Sequence, residues 1–263
     1  MSHIGVVGAG FVGLTTAVCF ASRGHDVVCS EISEERVDEL AHGITTLYED
    51  GLTELLEETL VSGRIRFTTT NREAAEHAEV VFLCLPTPPG SDGRPDLGAL
   101  RAVAREIAPY LNPEAVVVTK STVPVGWSDE LRSLLVGTSA RVGSNPEFLS
   151  EGNAVRDFLY PDRILIGAGD RGTIDAIAEL YEGFDCPIVT TDGRSAELAK
   201  YVANSILAAR LSFVNEIANL CELLETDVVN VLGVVGMDSR IGSSFLKPGP
   251  GWGGSCLPKD TEA

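Results

Sequence analysis

Short apolar runs alternate with amphipathic stretches along the first two thirds of the chain. "HIGVV" (3–7) reads as a buried strand, the stretch after it has helical spacing to about Arg23, and Gly24 releases the chain into a second apolar run at Asp26–Ser30. The rhythm continues with a helical region from Glu34 to about Leu60, a strand in "RIRFTT", a short helix over Arg72–Ala78 and a strand over Val80–Cys84. Asp96 then caps a helix running towards Ala108, "AVVVT" is another strand, and "RILIG" and Thr173–Thr190 add further strand and helix. Strands apolar on both sides and separated by helices predict an α/β fold with a buried parallel sheet. From Ser195 the pattern changes: Ser195–Glu225 has no glycine or proline across 31 residues. That predicts a helix of roughly 45 Å. It is apolar over more than one stripe, as expected of a helix lying between domains or subunits.

The first turn carries specific chemistry. Gly8, Gly10 and Gly13 follow the first strand and open the first helix, with Phe11 and Val12 between them. Gly8 permits the tight turn, Gly10 lets backbone N–H groups approach a pyrophosphate, and Gly13 lets helix and strand pack closely. Glu31 ends the second strand, 18 residues after Gly13. A carboxylate there accepts hydrogen bonds from ribose hydroxyls and repels a 2′-phosphate, which favours NAD over NADP. Thr87, Ser121 and Thr122 fall at the C-terminal ends of later strands, where open α/β sheets bind ligands; ordinary turn roles are the alternative. The predicted architecture is a Rossmann-like NAD-binding domain over 1–192, then a long helix, a small helical region and a cysteine loop over 193–263.

Composition narrows the function. The 263 residues, 44% of them hydrophobic, suffice for one large or two modest domains. With 38 acidic against 20 basic residues the net charge is -18, and no basic cluster offers a nucleic-acid surface. No signal peptide or membrane-spanning run is read, so a cytoplasmic protein is expected. The six cysteines are scattered, with no C-x-x-C, and only four histidines are present, so no metal site or disulfide scaffold is expected. Five cysteines sit in apolar or regular stretches and read as buried small hydrophobes.

Cys256 differs. It sits in "KPGPGWGGSCLPKD", where glycines let backbone wrap a ligand and Lys259 adds positive potential, the setting of a reactive thiol. On the long helix Glu197, Lys200 and Asn204 share a face. They are either a Glu–Lys pair on a solvated edge or an ammonium and an amide held over a cleft where negative charge develops. Glu151 stands in a polar loop as a functional carboxylate or a surface charge. A nucleophilic cysteine beside an NAD domain suggests aldehyde oxidation through a thiohemiacetal and a thioester.

"GVVGAGFVGLTTAVCFASRGHDV", "LPTPPGSDGRPDL", "KSTVPVG", "NPEFLSEGNAVRDFLYPDRILIG", "ELAKYVANSILAARLSFVNEIANLC" and "GMDSRIGSSFLKPGPGWGGSCLPKD" together resemble the nucleotide-sugar 6-dehydrogenases, the UDP-glucose and GDP-mannose dehydrogenase family, over nearly the whole chain. The resemblance implies a four-electron, two-NAD oxidation of a sugar C6 alcohol to a carboxylate. "GMDSRIG" with "FLKPGPGWGG" looks more like the UDP-glucose branch, with GDP-mannose and UDP-N-acetylhexosamine dehydrogenases as alternatives. It implies that Cys256 is the nucleophile, Lys200 and Asn204 stabilise the oxyanion, Asp260 positions or activates water, and Glu151 serves thioester hydrolysis. The resemblance places Thr122 in the catalytic set as well. It further implies that Glu31, Arg36, Leu85, Pro86, Thr87, Pro88, Ser121, Thr122, Val123 and Lys259 line the cofactor, that Arg240 crosses to a partner subunit's sugar nucleotide, and that Phe245, Lys247, Gly251, Trp252 and Gly253 form the substrate loop. The resemblance also implies a homodimer formed through the long-helix region, and a chain that is the N-terminal portion of a longer enzyme, without the family's C-terminal UDP-binding domain; an NAD-binding, dimerising fragment without turnover is the alternative.

Overall fold

The computed structural model describes residues 1–91, 93–254 and 256–262. Strand β1 (His3–Val7) leads into helix α1 (Phe11–Ser22) and strand β2 (Asp26–Ser30). Helices α2 (Glu34–Ala41) and α3 (Leu52–Val61) follow, then β3 (Ile65–Thr68), α4 (Asn71–His77) and β4 (Val80–Leu83). Next come α5 (Gly98–Ile107), a 3₁₀ turn at Ala108–Tyr110, β5 (Val116–Thr119), α6 (Trp127–Leu134), β6 (Arg141–Ser144) and α7 (Ala154–Leu159). The series closes with β7 (Ile164–Ala168), α8 (Arg171–Glu179) and β8 (Ile188–Thr191), followed by α9 (Gly193–Leu223), α10 (Val228–Gly236) and α11 (Leu257–Glu262). Met1–Pro88 with Asp96–Leu198 forms one compact unit, and Pro89–Pro95 with Ala199–Ala263 a second.

The eight strands form one sheet in the order β3-β2-β1-β4-β5-β6-β7-β8. All neighbours are parallel except β6 and β7, which run antiparallel. The period of two along each strand sends alternate residues to opposite faces. Ile4, Val6, Val27, Cys29, Phe82, Val116 and Val118 join one core, and Val7, Val28, Val81, Leu83 and Val117 join the other. Both faces are covered over β1, β4 and β5, which is why those strands read as unbroken apolar runs, while the edge strand β8 is largely exposed.

The expected continuous helical region from Glu34 to Leu60 is corrected by the structure. α2 stops at Ala41, Gly43 and Gly51 take φ of +77° and +79°, and α3 begins only at Leu52. The β-branched Ile44-Thr45-Thr46 run between those glycines has weak helix propensity, and both left-handed glycines interrupt the ladder. The long helix matches in length but is shifted two residues N-terminally, because Asp192 Oδ1 accepts from Ser195 N at 3.0 Å and caps its start. At the far end Glu225 adopts a φ of 52°.

Glu197 settles one alternative left open by the sequence. It is 2% exposed, not on a solvated edge, and its carboxylate accepts from Gly126 N at 2.7 Å, Ser128 N at 2.7 Å and Ser128 Oγ at 2.5 Å. Gly126 is the N-cap of α6 and offers no side chain, so Glu197 satisfies the first amides of that helix from a distance of about 70 residues. Glu197→Ala should therefore lower unfolding free energy by about 2–4 kcal/mol, since charge-assisted hydrogen bonds contribute roughly 1.5–3 kcal/mol each and leave buried amides orphaned when lost. Urea denaturation followed by circular dichroism measures this; an unchanged midpoint would refute the capping role.

Candidate active site

In the first unit the glycine turn is built by close approach. A Cβ on Gly13 would lie 1.7 Å from the Gly8 carbonyl oxygen, and one on Gly8, whose φ is +96°, would lie 2.8 Å from the Cys84 carbonyl oxygen. Gly10 by contrast has nothing within 4 Å of where a Cβ would stand. It is the N-cap of α1 and contributes no side-chain cap, so amides of the first turn face a cradle open to a ligand. Phe11 and Val12 are half-buried at that end.

Glu31 and Arg36 are organised around this turn. Glu31 follows β2, its amide donates to Thr68 O at 3.0 Å, and its Oε1 accepts from Ser33 N at 3.3 Å. Ser33 caps α2 by accepting from Arg36 N, and the Arg36 guanidinium donates to Ala9 O at 2.9 Å inside the glycine turn. The segments after β4 and β5 are laced together: Ser121 Oγ donates to Leu85 O at 2.7 Å, and Thr87 Oγ1 donates to Thr122 O at 2.9 Å. Val123 is buried, Leu85, Ser121 and Thr122 are half-buried, and Pro86 and Pro88 are exposed. An open glycine cradle, a helix start without a side-chain cap and a carboxylate at the ribose position together fit a dinucleotide. Gly8, Gly10, Phe11, Val12, Gly13, Glu31 and Arg36 would hold its adenosine and pyrophosphate half. Leu85–Pro88 and Ser121–Val123 would hold the nicotinamide half. Glu151, in the same unit, is exposed in the turn before α7.

The second unit gathers the other candidates. Lys200 and Asn204, one turn apart on α9, are 5% and 7% exposed, so the solvated-edge reading of Lys200 fails. Asp260 is 3% exposed; its Oδ2 accepts from Asn204 Nδ2 at 2.6 Å and its Oδ1 from Lys259 Nζ at 2.5 Å. The Asp260 amide donates to the Cys256 carbonyl at 2.9 Å, so Cys256 immediately precedes α11, a helical turn that the sequence reading treated as loop. Cys256 is exposed. Trp252 Nε1 donates to Ser212 Oγ at 2.7 Å and Gly249 N to Asn215 Oδ1 at 2.9 Å, which anchors the glycine-rich loop along α9. Phe245 and Lys247 are exposed, Phe245 with a φ of 57°, and Gly251 and Gly253 are exposed beside Trp252. Arg240 is exposed and its guanidinium pairs with Asp238 at 2.6 Å within its own chain.

The other thiols separate from Cys256. Cys19, Cys29, Cys84 and Cys221 are buried as expected, whereas Cys186 is only half-buried, which corrects that part of the reading. Burial pushes the Cys19 and Cys84 thiols up to about 12 despite the nearby Lys120 ammonium, and raises Cys29 well above its ordinary value. Two buried charged groups escaped the sequence reading of the site: Lys120, and Glu147, whose Oε2 accepts from Leu149 N at 2.6 Å. Their place just past the ends of β5 and β6, where such sheets bind ligands, was the available signal.

Fold and site together define the class of dinucleotide-binding α/β dehydrogenases with a cysteine-bearing helical portion. The chain belongs to the UDP-glucose/GDP-mannose dehydrogenase family: residues 2–185 match that family's NAD binding domain and residues 194–263 its central domain. It is 44% identical to the UDP-glucose 6-dehydrogenase YwqF of Bacillus subtilis, over 99% of this chain and 60% of that protein. It is 45% identical to a UDP-glucose 6-dehydrogenase of Rhizobium meliloti, over 99% of this chain and 62% of that one. Among solved structures, a UDP-glucose dehydrogenase from Pyrobaculum islandicum superposes with a TM-score of 0.94 at 40% identity, covering 99% of this chain and 63% of that chain. The chain thus spans about three fifths of the length of these relatives.

The thiol environments predict an order of reactivity. At pH 8 iodoacetamide should modify Cys256 first and leave Cys19, Cys29 and Cys84 unmodified until the chain unfolds, because the thiolate is the nucleophile and burial suppresses it. Peptide mass mapping over time reads this. Rapid labelling of Cys84 in the folded protein would contradict it.

Proposed function

We propose that the protein of which this chain is part oxidises the C6 alcohol of a sugar nucleotide, with UDP-glucose preferred, to the carboxylate, through covalent intermediates on Cys256. The observation that carries this is the buried Lys200–Asn204 pair and Asp260 gathered in one unit with an exposed cysteine. The preference for UDP-glucose rests on the names of the relatives at 44% and 45% identity; GDP-mannose and UDP-N-acetylhexosamines are the alternative substrates. The family membership supports a cytoplasmic enzyme. Arg240, Phe245, Lys247, Gly251, Trp252 and Gly253 are assigned to the substrate side, and Lys259 to the cofactor side.

The chemistry follows from what each group can do. NAD, when bound, would accept one hydride, and two NAD in succession would take the two that a four-electron oxidation releases. The Lys200 ammonium, held on a rigid helix, stabilises the alkoxide formed as the C6 hydroxyl loses its proton. Once C6 is an aldehyde, the Cys256 thiolate attacks its carbon, a C–S bond forms, and the carbonyl oxygen becomes an oxyanion met by Lys200 and an N–H of Asn204. Loss of the second hydride leaves a thioester. Water then adds to its carbon with Asp260 and Glu151 handling the proton, the C–S bond breaks, and the thiol returns with the acid released. Thr122 is assigned to position the reacting side of the substrate. Asp260 is suited to its role because two donors fix both of its oxygens at a buried position.

A homodimer is part of the reading. Val202, Ile206, Phe213 and Leu220 recur at about helical spacing along α9 and are each close to half exposed or more. Such a stripe along a long helix marks an association surface.

With the full-length protein, NADH release at 340 nm should be fastest with UDP-glucose and slower with GDP-mannose and UDP-N-acetylglucosamine; no NADH with any of the three would refute the reading. Cys256→Ser should make no acid, and Glu151→Gln should accumulate a thioester visible by intact mass. Lys200→Ala should lower kcat by about 10²–10³. Phe213→Asp should shift the protein from dimer to monomer by sedimentation; an unshifted dimer would place the interface elsewhere.

A further inference from the structure

At the N-terminal ends of the strands, opposite the glycine turn, side chains from three elements converge. His3 opens β1, Asp26 opens β2 directly beside it in register, and His77 closes α4. His3 Nδ1 lies 3.4 Å from Asp26 Oδ2 and 3.4 Å from His77 Nε2, and His77 Nε2 lies 3.8 Å from Asp26 Oδ2. All three residues are half-buried, and the chemistry proposed above uses none of them.

Hydrogen bonding alone serves this triangle poorly. A neutral imidazole carries one N–H, and an ionised carboxylate only accepts. His3 Nδ1 faces both an acceptor and another ring nitrogen, while His77 Nε2 faces His3, the Asp26 carboxylate and, at 3.4 Å, the Asp26 carbonyl. With one N–H per neutral ring at least one of these close approaches is left without a proton between its atoms, whereas one cation meets all three side chains. Zinc binds imidazole nitrogen at about 2.0–2.1 Å, and two such bonds at a tetrahedral angle set their donors roughly 3.3–3.4 Å apart. Two sides of the triangle have that length and the third is slightly longer.

We propose that His3, Asp26 and His77 form a binding site for one zinc-class divalent cation, with water completing its coordination. Two imidazoles and one carboxylate suit zinc and its neighbours; calcium and magnesium prefer all-oxygen sites. The local charge favours a cation, since Glu79 Oε2 accepts from His3 N at 3.4 Å and brings a second carboxylate to the site, within a chain of net charge -18. The bound ion ties the starts of β1 and β2 to the end of α4, so it acts as a clip on the first Rossmann unit. No short motif announces it, because its ligands stand at positions 3, 26 and 77.

The test titrates zinc chloride into the chelator-treated full-length protein by calorimetry, with Cys256→Ser as background so that the exposed thiol contributes nothing. One saturable ion per chain and a melting temperature that rises with zinc are expected. His3→Gln, at a side chain 45% exposed and therefore tolerant of change, should weaken binding at least tenfold and abolish the thermal shift, as should His77→Gln and Asp26→Asn. No saturable zinc binding in the parent, or equal binding in the parent and the His3→Gln protein, overturns the proposal.

Discussion

A carboxylate taken out of water must be met by donors or give up its charge, and Asp260 is the place where the second unit meets that requirement. Asn204 reaches one oxygen at 2.6 Å and Lys259 the other at 2.5 Å. Asn204 is fixed by α9, one turn from Lys200, and the Asp260 amide is bonded to the carbonyl of Cys256. One buried carboxyl group therefore couples the helix that carries Lys200 to the backbone that carries Cys256. The pairing has a direct consequence for the loop between them. Its glycines allow many conformations, and the Asp260 contacts, with the Trp252–Ser212 and Gly249–Asn215 bonds, select among them.

The first unit solves a different problem with the same economy of partners. Gly13 and Gly8 pack with no room for a Cβ, so α1 lies close against β1 and its first amides stay at the mouth of the sheet. Arg36 returns from α2 to hold the Ala9 carbonyl, and the two strand-end segments around Leu85 and Ser121 bind each other. The cradle's shape is set by backbone contacts, and Glu31 and Arg36 are hydrogen-bonded onto that frame through Ser33 N and Ala9 O.

These differences in origin explain what the sequence made legible. The β1–α1–β2 segment was readable because punctuation and chemistry coincide within 30 residues. The interruption between α2 and α3 was not, since Gly43 and Gly51 look like tolerable glycines until their positive φ values are known. The antiparallel pairing of β6 and β7 depends on the path of the intervening chain, which strand patterning does not encode. The burial of Lys200 and Asn204 follows from their place on an apolar helix, and the exposure of Cys256 from its glycine-rich surroundings. Glu197 shares a helix face with Lys200 and Asn204 by spacing, while its partners lie about 70 residues earlier. Likewise the bond joining Asn204 to Asp260 spans 56 residues and leaves no local trace.

Lysine scarcity shows where residue type alone misleads. The chain has four lysines, and Lys120, in "KSTVPVG" at the end of β5, is as deeply buried as Lys200. Its ammonium donates to Asn145 Oδ1 at 2.9 Å, comes within 3.5 Å of Tyr181 Oη, and lies 5.9 and 5.6 Å from the Phe82 and Phe158 rings. Tyr181 donates to the same Asn145 oxygen at 2.5 Å, and burial raises its own hydroxyl well above the ordinary phenol range. An ammonium enclosed by an amide, a phenol and two ring faces is compensated within the core. It joins the end of β5 to the segment after β6 and to Tyr181 just past α8, and so fixes the strand end beside which Ser121 and Thr122 stand. Lys200 stands equally buried on an uninterrupted helix, in the unit that holds the exposed thiol, so two lysines of similar burial sit in different settings.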